Sequence, residues 1–229
     1  MRQILIFNMP NRIINAIDIF DTFTNFFKSE SAPQVDIPIC LYDRHGCSVP
    51  YIYFNTEQLS RTKELNGVLE TIRKTTPVQV WDYSKKNVEI LKEHGIVATF
   101  IPIITNEIQL NRLRSWQTVP LYDVGFCGSP SPRRQAIIDQ LKAAELRVHY
   151  LQNIHGDARD RELAKCRVLI NIHYGDDFKI FEVARCEPWL QLGVPVISEQ
   201  SLDDDDRCIN VPYEKLVETV VQYLNTLKS

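Results

Sequence analysis

Two stretches carry side chains whose types and spacing can do chemistry. "DVGFCGSPSPRR" (123–134) runs an apolar strand pattern into a glycine, two serines and two arginines at a helix start. Gly128 permits a sharp turn and close backbone approach. Ser129 and Ser131 offer hydroxyls. The first helical turn offers N–H groups and the positive end of a dipole, and Arg133 and Arg134 offer charge-assisted forks. These are the parts of a phosphate site. GxxxxGK[ST] and GxGxxG are both absent, which excludes a P-loop and the dinucleotide fingerprint. A plain strand–helix turn uses Gly and Ser in the same way.

The second stretch, "RVLINIHYGDDFKIFEVARCEPWLQLGVPVISEQS" (167–201), places polar residues between two apolar runs. His173 ends the first run and Tyr174 follows it. Glu182 and Arg185 stand three apart at a helix start, so they share a face. Glu199 ends the second run. A carboxylate at a strand–helix junction can accept both hydroxyls of a ribose, and a nearby arginine can neutralise a diphosphate. The same residues also read as a surface ion pair of small energetic worth, with His173 as a hydrogen-bonded structural residue. In the first half, "YIYFNTEQ" and "VQVWDYS" end strand patterns at Glu57 and Asp82. Either can act as general base toward a hydroxyl acceptor; Asp82 reads equally as a helix cap. "DDDD" (203–206) reads as a solvated loop. The absence of GxSxG and of zinc-ligand spacing argues against a hydrolase triad and a zinc site.

These residues need elements to position them. Short buried runs predict strands at 3–7, 35–43, 50–55, 78–82, 98–104, 122–128, 147–151, 167–173, 194–199 and 208–211. Helical spacing predicts helices at 11–29, 56–74 with an interruption at Asn66-Gly67, 83–95, 132–145, 160–166, 181–193 and 213–229. Strands separated by helices predict parallel sheets covered on both faces. The expected fold is α/β: two Rossmann-like, doubly wound domains at 1–106 and 122–229, joined by a linker at 107–121. Ligands in such folds sit at the carboxyl ends of the strands, and with two domains the cleft between them is the expected site.

The 229 residues are 44% apolar and 24% charged, with a net charge of −3. That balance gives no electrostatic reason to expect a nucleic-acid or anionic-membrane partner. Six cysteines without a CxxC pair predict reduced thiols acting as small hydrophobes. The opening "MRQILIFNMP" lacks the features of a signal peptide, and no run approaches a membrane span. A cytoplasmic protein is expected.

The C-terminal motifs "GFCGSPSPRR", "GDARDRELAKCRVLINIHY" and "FEVARCEPWLQLGVPVISE" resemble the nucleotide-binding domain of GT-B-type glycosyltransferases. They are closest to the small glycosyltransferase-like proteins of bacteria and large DNA viruses. "YFNTEQL", "VWDYSKKNVEIL" and "FIPI" extend the resemblance to most of the chain. It implies a compact GT-B fold that moves a sugar from a nucleoside-diphosphate donor, UDP or GDP type, to a hydroxyl on a glycan or glycoconjugate. Gly128, Ser129 and Arg133 match the phosphate-side turn. Glu182 matches the ribose position and Arg185 the diphosphate position. His173, Tyr174 and Glu199 are placed with them by position. The family usually needs neither metal nor cofactor. The Glu-x7-Glu pattern of many retaining members is absent, because Lys179 stands eight residues before Glu187, so stereochemistry stays open. The chain is short for two full Rossmann domains. A nucleotide-sugar-binding module without turnover and a sugar-nucleotide epimerase are the alternatives.

Overall fold

The computed structural model describes residues 5–7, 17–41 and 49–227, with side chains described from 22 onward. Two compact units emerge. One comprises the chain up to Asn106 together with Asp177–Ala184; the other comprises Glu107–Asp176 and the chain from Arg185 onward.

The first unit carries β1 (Leu5–Phe7), α1 (Ile17–Phe27), β2 (Ile39–Leu41), β3 (Ile52–Asn55), α2 (Thr62–Thr75), β4 (Gln79–Asp82), α3 (Lys85–Glu93) and β5 (Thr99–Phe100). All pairings are parallel, in the order β1-β2-β3-β4-β5. Alternate side chains leave a strand on opposite faces, and the burial follows that rule. Ile39, Leu41, Ile52, Phe54 and Trp81 pack with the α1 phenylalanines Phe23, Phe26 and Phe27. Cys40, Tyr53 and Val80 pack with Val68, Leu69 and Ile72 of α2 and Leu91 of α3. Helices cover both faces of this sheet, as expected, but among the described residues its strand order is sequential, with no reversal and no topological switch point. Helix α2 also runs unbroken through Asn66-Gly67. Residues 177–184 form a strap that buries Ile180 and Ala184 in the α1 side of this core.

The second unit carries α4 (Glu107–Trp116), β6 (Tyr122–Cys127), α5 (Pro132–Ala143), β7 (Val148–Leu151), α6 (Gly156–Leu163), β8 (Cys166–Asn171), α7 (Val183–Gln191), β9 (Val196–Glu199), β10 (Ile209–Val211) and α8 (Leu216–Thr226). The first residues of α7 fall in the strap. The expected linker is therefore partly the helix α4. The parallel order β10-β9-β8-β6-β7 is the doubly wound 2-1-3-4-5 arrangement, with its switch point between β6 and β8. Val124, Phe126, Val168, Ile170 and Ile197 pack under α5 and α8. Gly125 and Leu169 line a small cavity together with Leu163 of α6 and Trp189 of α7. A Cβ at Gly125 would lie 2.6 Å from Cys166 Sγ and 2.7 Å from Leu169 Cδ2. Gly125→Ala is therefore expected to cost about 1–3 kcal/mol, read as a lower urea midpoint with unchanged slope.

Cys40, Cys127, Cys166, Cys186 and Cys208 are free thiols; Cys47 lies outside the described residues. Burial pushes the thiols of Cys166 and Cys208 up to about 12. Both should resist alkylation at pH 8 in the native protein and react once it unfolds in urea, as mass spectrometry of the alkylated sites would report.

Candidate functional site

The reversal in the second sheet brings the ends of β6 and β8 side by side, and the turn into α5 lies above them. Helix α5 begins at Pro132 because Ser131 Oγ accepts from the Arg134 N–H at 3.3 Å and proline suits the first helical position. Arg134 then falls on the buried stripe of the helix with Ile137, Ile138 and Leu141. Its guanidinium is held inside the turn: Nε donates to Ile172 O at 3.0 Å and Nη1 to Ser129 O at 3.0 Å. Gly128 makes room for it, since a Cβ there would lie 3.0 Å from Arg134 Nη1.

Arg185 approaches the same place from α7. Its Nη1 donates to Asn171 Oδ1 at 2.7 Å. The guanidinium carbons of Arg134 and Arg185 stand 5.2 and 5.4 Å from the Phe126 ring centroid. Tyr174, which is 42% exposed, lies 5.4 Å from Arg134 on another side. Tyr150, beside Phe126 on β7, reports the same field. Burial raises its phenol pKa, while the charges of Arg134 and Arg185 pull against that rise. Two guanidiniums, a helix start and a close-approach glycine thus converge at a switch point, a combination suited to a phosphate group.

Arg133 is turned elsewhere. Its two terminal nitrogens grip the Glu199 carboxylate and its Nε donates to Asp176 at 2.8 Å. Burial opposes its charge, but the hydrogen bonds and charges of Glu199 and Asp176 outweigh that and raise its pKa. Its guanidinium stacks 3.7 Å over Tyr213. Glu199 also accepts from the His173 main-chain N–H at 3.0 Å. In this structure Arg133 and Glu199 are therefore each other's main partners. Two opposite charges taken out of water satisfy each other. His173 is only 2% exposed, with Nε2 at 3.2 Å from both Gln200 O and Ser201 Oγ. A proton on Nε2 suits the carbonyl, and the ring braces the end of β8 against the chain after β9. Ser129 is exposed and holds Arg134 through its carbonyl.

In the first unit, Asp82 is fully buried. Its carboxyl accepts from Asn55 Nδ2 at 2.7 Å, the Ser84 main-chain N–H at 2.8 Å and Asn87 Nδ2 at 3.1 Å. Asn55 and Asn87 in turn fix the loop after β3: both amides donate to Glu57 O at 2.9 Å, and Asn87 Oδ1 accepts from the Leu59 N–H at 3.0 Å. Asp82 is therefore the hub of a buried network. Glu57, held by that loop, lines two cavities of about 300 and 110 Å3. Glu182 sits with it rather than in the second unit, because the strap carries it there. Gln58 Nε2 donates to Glu182 Oε1 at 2.9 Å, and Gln58 Oε1 accepts from the Ile180 N–H at 3.1 Å.

Sequence reasoning missed the buried donors Asn55, Gln58 and Asn87, each of which has a partner distant in the chain. Arg133 and Arg134 are adjacent in the motif, and the spacing Arg134, Ile137, Ile138, Leu141 marks the buried face. Arg207, after the acidic loop, pairs with Asp205 of that loop and with Glu187 of α7. Among the described residues, no group of three or more His, Cys, Asp or Glu side chains converges to hold a metal.

The chain is similar to mimivirus proteins. An uncharacterized protein of Acanthamoeba polyphaga mimivirus is 35% identical over 186 residues, covering 77% of this chain and 60% of that protein. Two further uncharacterized proteins of the same virus are 35% and 34% identical, over 74% and 80% of this chain but only 20% and 25% of their own lengths. The chain thus spans between a fifth and three-fifths of these relatives. No protein-family model matches it. Among the described residues, no helix is long and apolar enough to cross a membrane.

Proposed function

We propose that this protein is a glycosyltransferase of the GT-B kind, using a UDP- or GDP-type sugar donor. The observation that carries the reading is the convergence of Arg134 and Arg185 on Phe126, beside the start of α5, at the switch point of the second sheet. On this reading the diphosphate binds there. As the bond between the sugar carbon and the diphosphate oxygen breaks, the two guanidiniums and the helix start stabilise the charge that develops on the leaving group. That role requires no metal. Tyr174 borders the same place. Glu57 is the carboxylate assigned to orient an acceptor hydroxyl and take its proton. Asp82, Arg133, His173 and Glu199 keep these groups in place.

Radiolabelled sugar transfer from UDP-, GDP- and dTDP-sugars to a mixed glycan acceptor pool tests the proposal. Label transferred from one donor class supports it. The absence of both transfer and donor hydrolysis across the panel would sink it. The matched stretch is only a fifth to a quarter of two relatives, which favours a second reading: a nucleotide-sugar-binding module within a larger glycan-building protein. Calorimetric nucleotide binding without turnover would favour the module.

A further inference from the structure

Strand β8 carries a polar side chain where the residues before it are apolar. Val168 and Ile170 pack under α5 and α8, so Asn171, one residue on, leaves the sheet on the opposite face. It is fully buried, as is Ser198, its cross-strand neighbour on β9. A buried amide is costly unless its groups are hydrogen-bonded, and here both are. Nδ2 donates to Ser198 Oγ at 3.0 Å, and Oδ1 accepts from Arg185 Nη1 at 2.7 Å. The direction of each bond is fixed. Ser198 Oγ gives its single proton to Glu199 O at 2.8 Å, a carbonyl that can only accept, so toward Asn171 the hydroxyl accepts. The amide NH2 therefore faces Ser198, and the amide oxygen faces Arg185, whose guanidinium has donors only. A fully buried relay from β9 through β8 thus ends in one oxygen on the guanidinium that stands 5.4 Å from Phe126.

We infer that Asn171 is a positioning residue for the diphosphate: oriented by Ser198, it sets the Arg185 guanidinium at the switch point without placing a negative charge beside the ligand. The inference rests on the diphosphate site proposed above. An arginine fixed before its ligand arrives loses less side-chain freedom on binding. A carboxylate would fix it as well, but its charge would oppose an arriving anion. Arg133 shows that other arrangement in the same unit, where the carboxylates of Glu199 and Asp176 take its guanidinium.

Titration calorimetry with UDP, GDP and dTDP tests it, in the parent chain, Arg185→Ala, Asn171→Asp and Asn171→Ala, each paired with a thermal melt. Asn171→Asp is isosteric and pairs with Arg185, so it is expected to keep the parent melting profile. It should nevertheless bind the nucleotide that the parent binds at least about tenfold more weakly, since a new carboxylate lies close to the phosphates. Asn171→Ala loses both bonds and is expected to melt lower, yet to weaken the same nucleotide only about threefold, through the freed guanidinium. Affinity and stability then change in opposite order, which a purely structural role for Asn171 does not produce. Parent-like affinity in either variant, or a larger loss in Asn171→Ala than in Asn171→Asp, would overturn the inference; if Arg185→Ala abolishes binding in the same experiment, the diphosphate site stands without it. Binding absent from the parent chain, or intact in Arg185→Ala, would overturn the site and the inference together.

Discussion

Asp82→Ala is expected to destabilise the first unit by about 4 kcal/mol, near the upper end for a single substitution. Three donors lose their acceptor at once: the Asn55 amide, the Ser84 N–H and the Asn87 amide. All three belong to residues at 0–2% exposure, out of reach of water. A buried donor left without an acceptor costs about 1–3 kcal/mol, and partial collapse of the site recovers some of the sum. Asp82→Asn should cost only about 1–2 kcal/mol. The amide oxygen can still serve Ser84 and Asn87, but its NH2 then faces that of Asn55. Urea unfolding followed by tryptophan fluorescence reads the difference, because Trp81 adjoins Asp82 in β4. A catalytic base would behave in the opposite way, with Asp82→Asn abolishing turnover in a fully stable protein.

Glu199→Ala should destabilise the second unit by about 2–3 kcal/mol, somewhat less than the ~3–5 kcal/mol of a fully buried pair. The substitution strips the bidentate partner from Arg133 and the acceptor from the His173 N–H, but Asp176 remains beside Arg133. Replacing both Arg133 and Glu199 with leucine should cost less than Glu199→Ala alone, because no charge is then left stranded. A double-mutant cycle in urea measures that coupling. A cycle energy near zero would mean that the pair contributes no structural support.

The sequence revealed more of the fold than of the site, for physical reasons. Buried runs such as "IYFN" and "CRVLIN" are mostly apolar, as befits parallel strands covered on both faces, and the elements between them show helical spacing. The order of strands in a sheet is decided by non-local packing, so the sequential first sheet and the reversal in the second had to be seen. The same holds for residues 177–184. Local sequence places Glu182 beside Arg185, and only the burial of Ile180 on α1 shows that the strap carries Glu182 to the first unit. Asp82 had the right type and position for a base. Its partner Asn55 lies 27 residues away, beyond any local pattern. The choice between Arg133 and Arg134 was legible in the helical period, since only Arg134 lies on the apolar stripe of α5.

The central claim is that the switch point of the second sheet binds a nucleoside diphosphate. It is tested most directly by thermal unfolding with UDP, GDP and dTDP, each at millimolar concentration, in the parent chain and in Arg185→Ala. A ligand at a hundred times its Kd stabilises the native state by about 2.7 kcal/mol, which for a unit of this size raises Tm by about 5 °C or more. The account predicts such a rise with at least one of the three nucleotides and its loss in Arg185→Ala. An unchanged Tm with all three, or a rise that Arg185→Ala leaves intact, would contradict it.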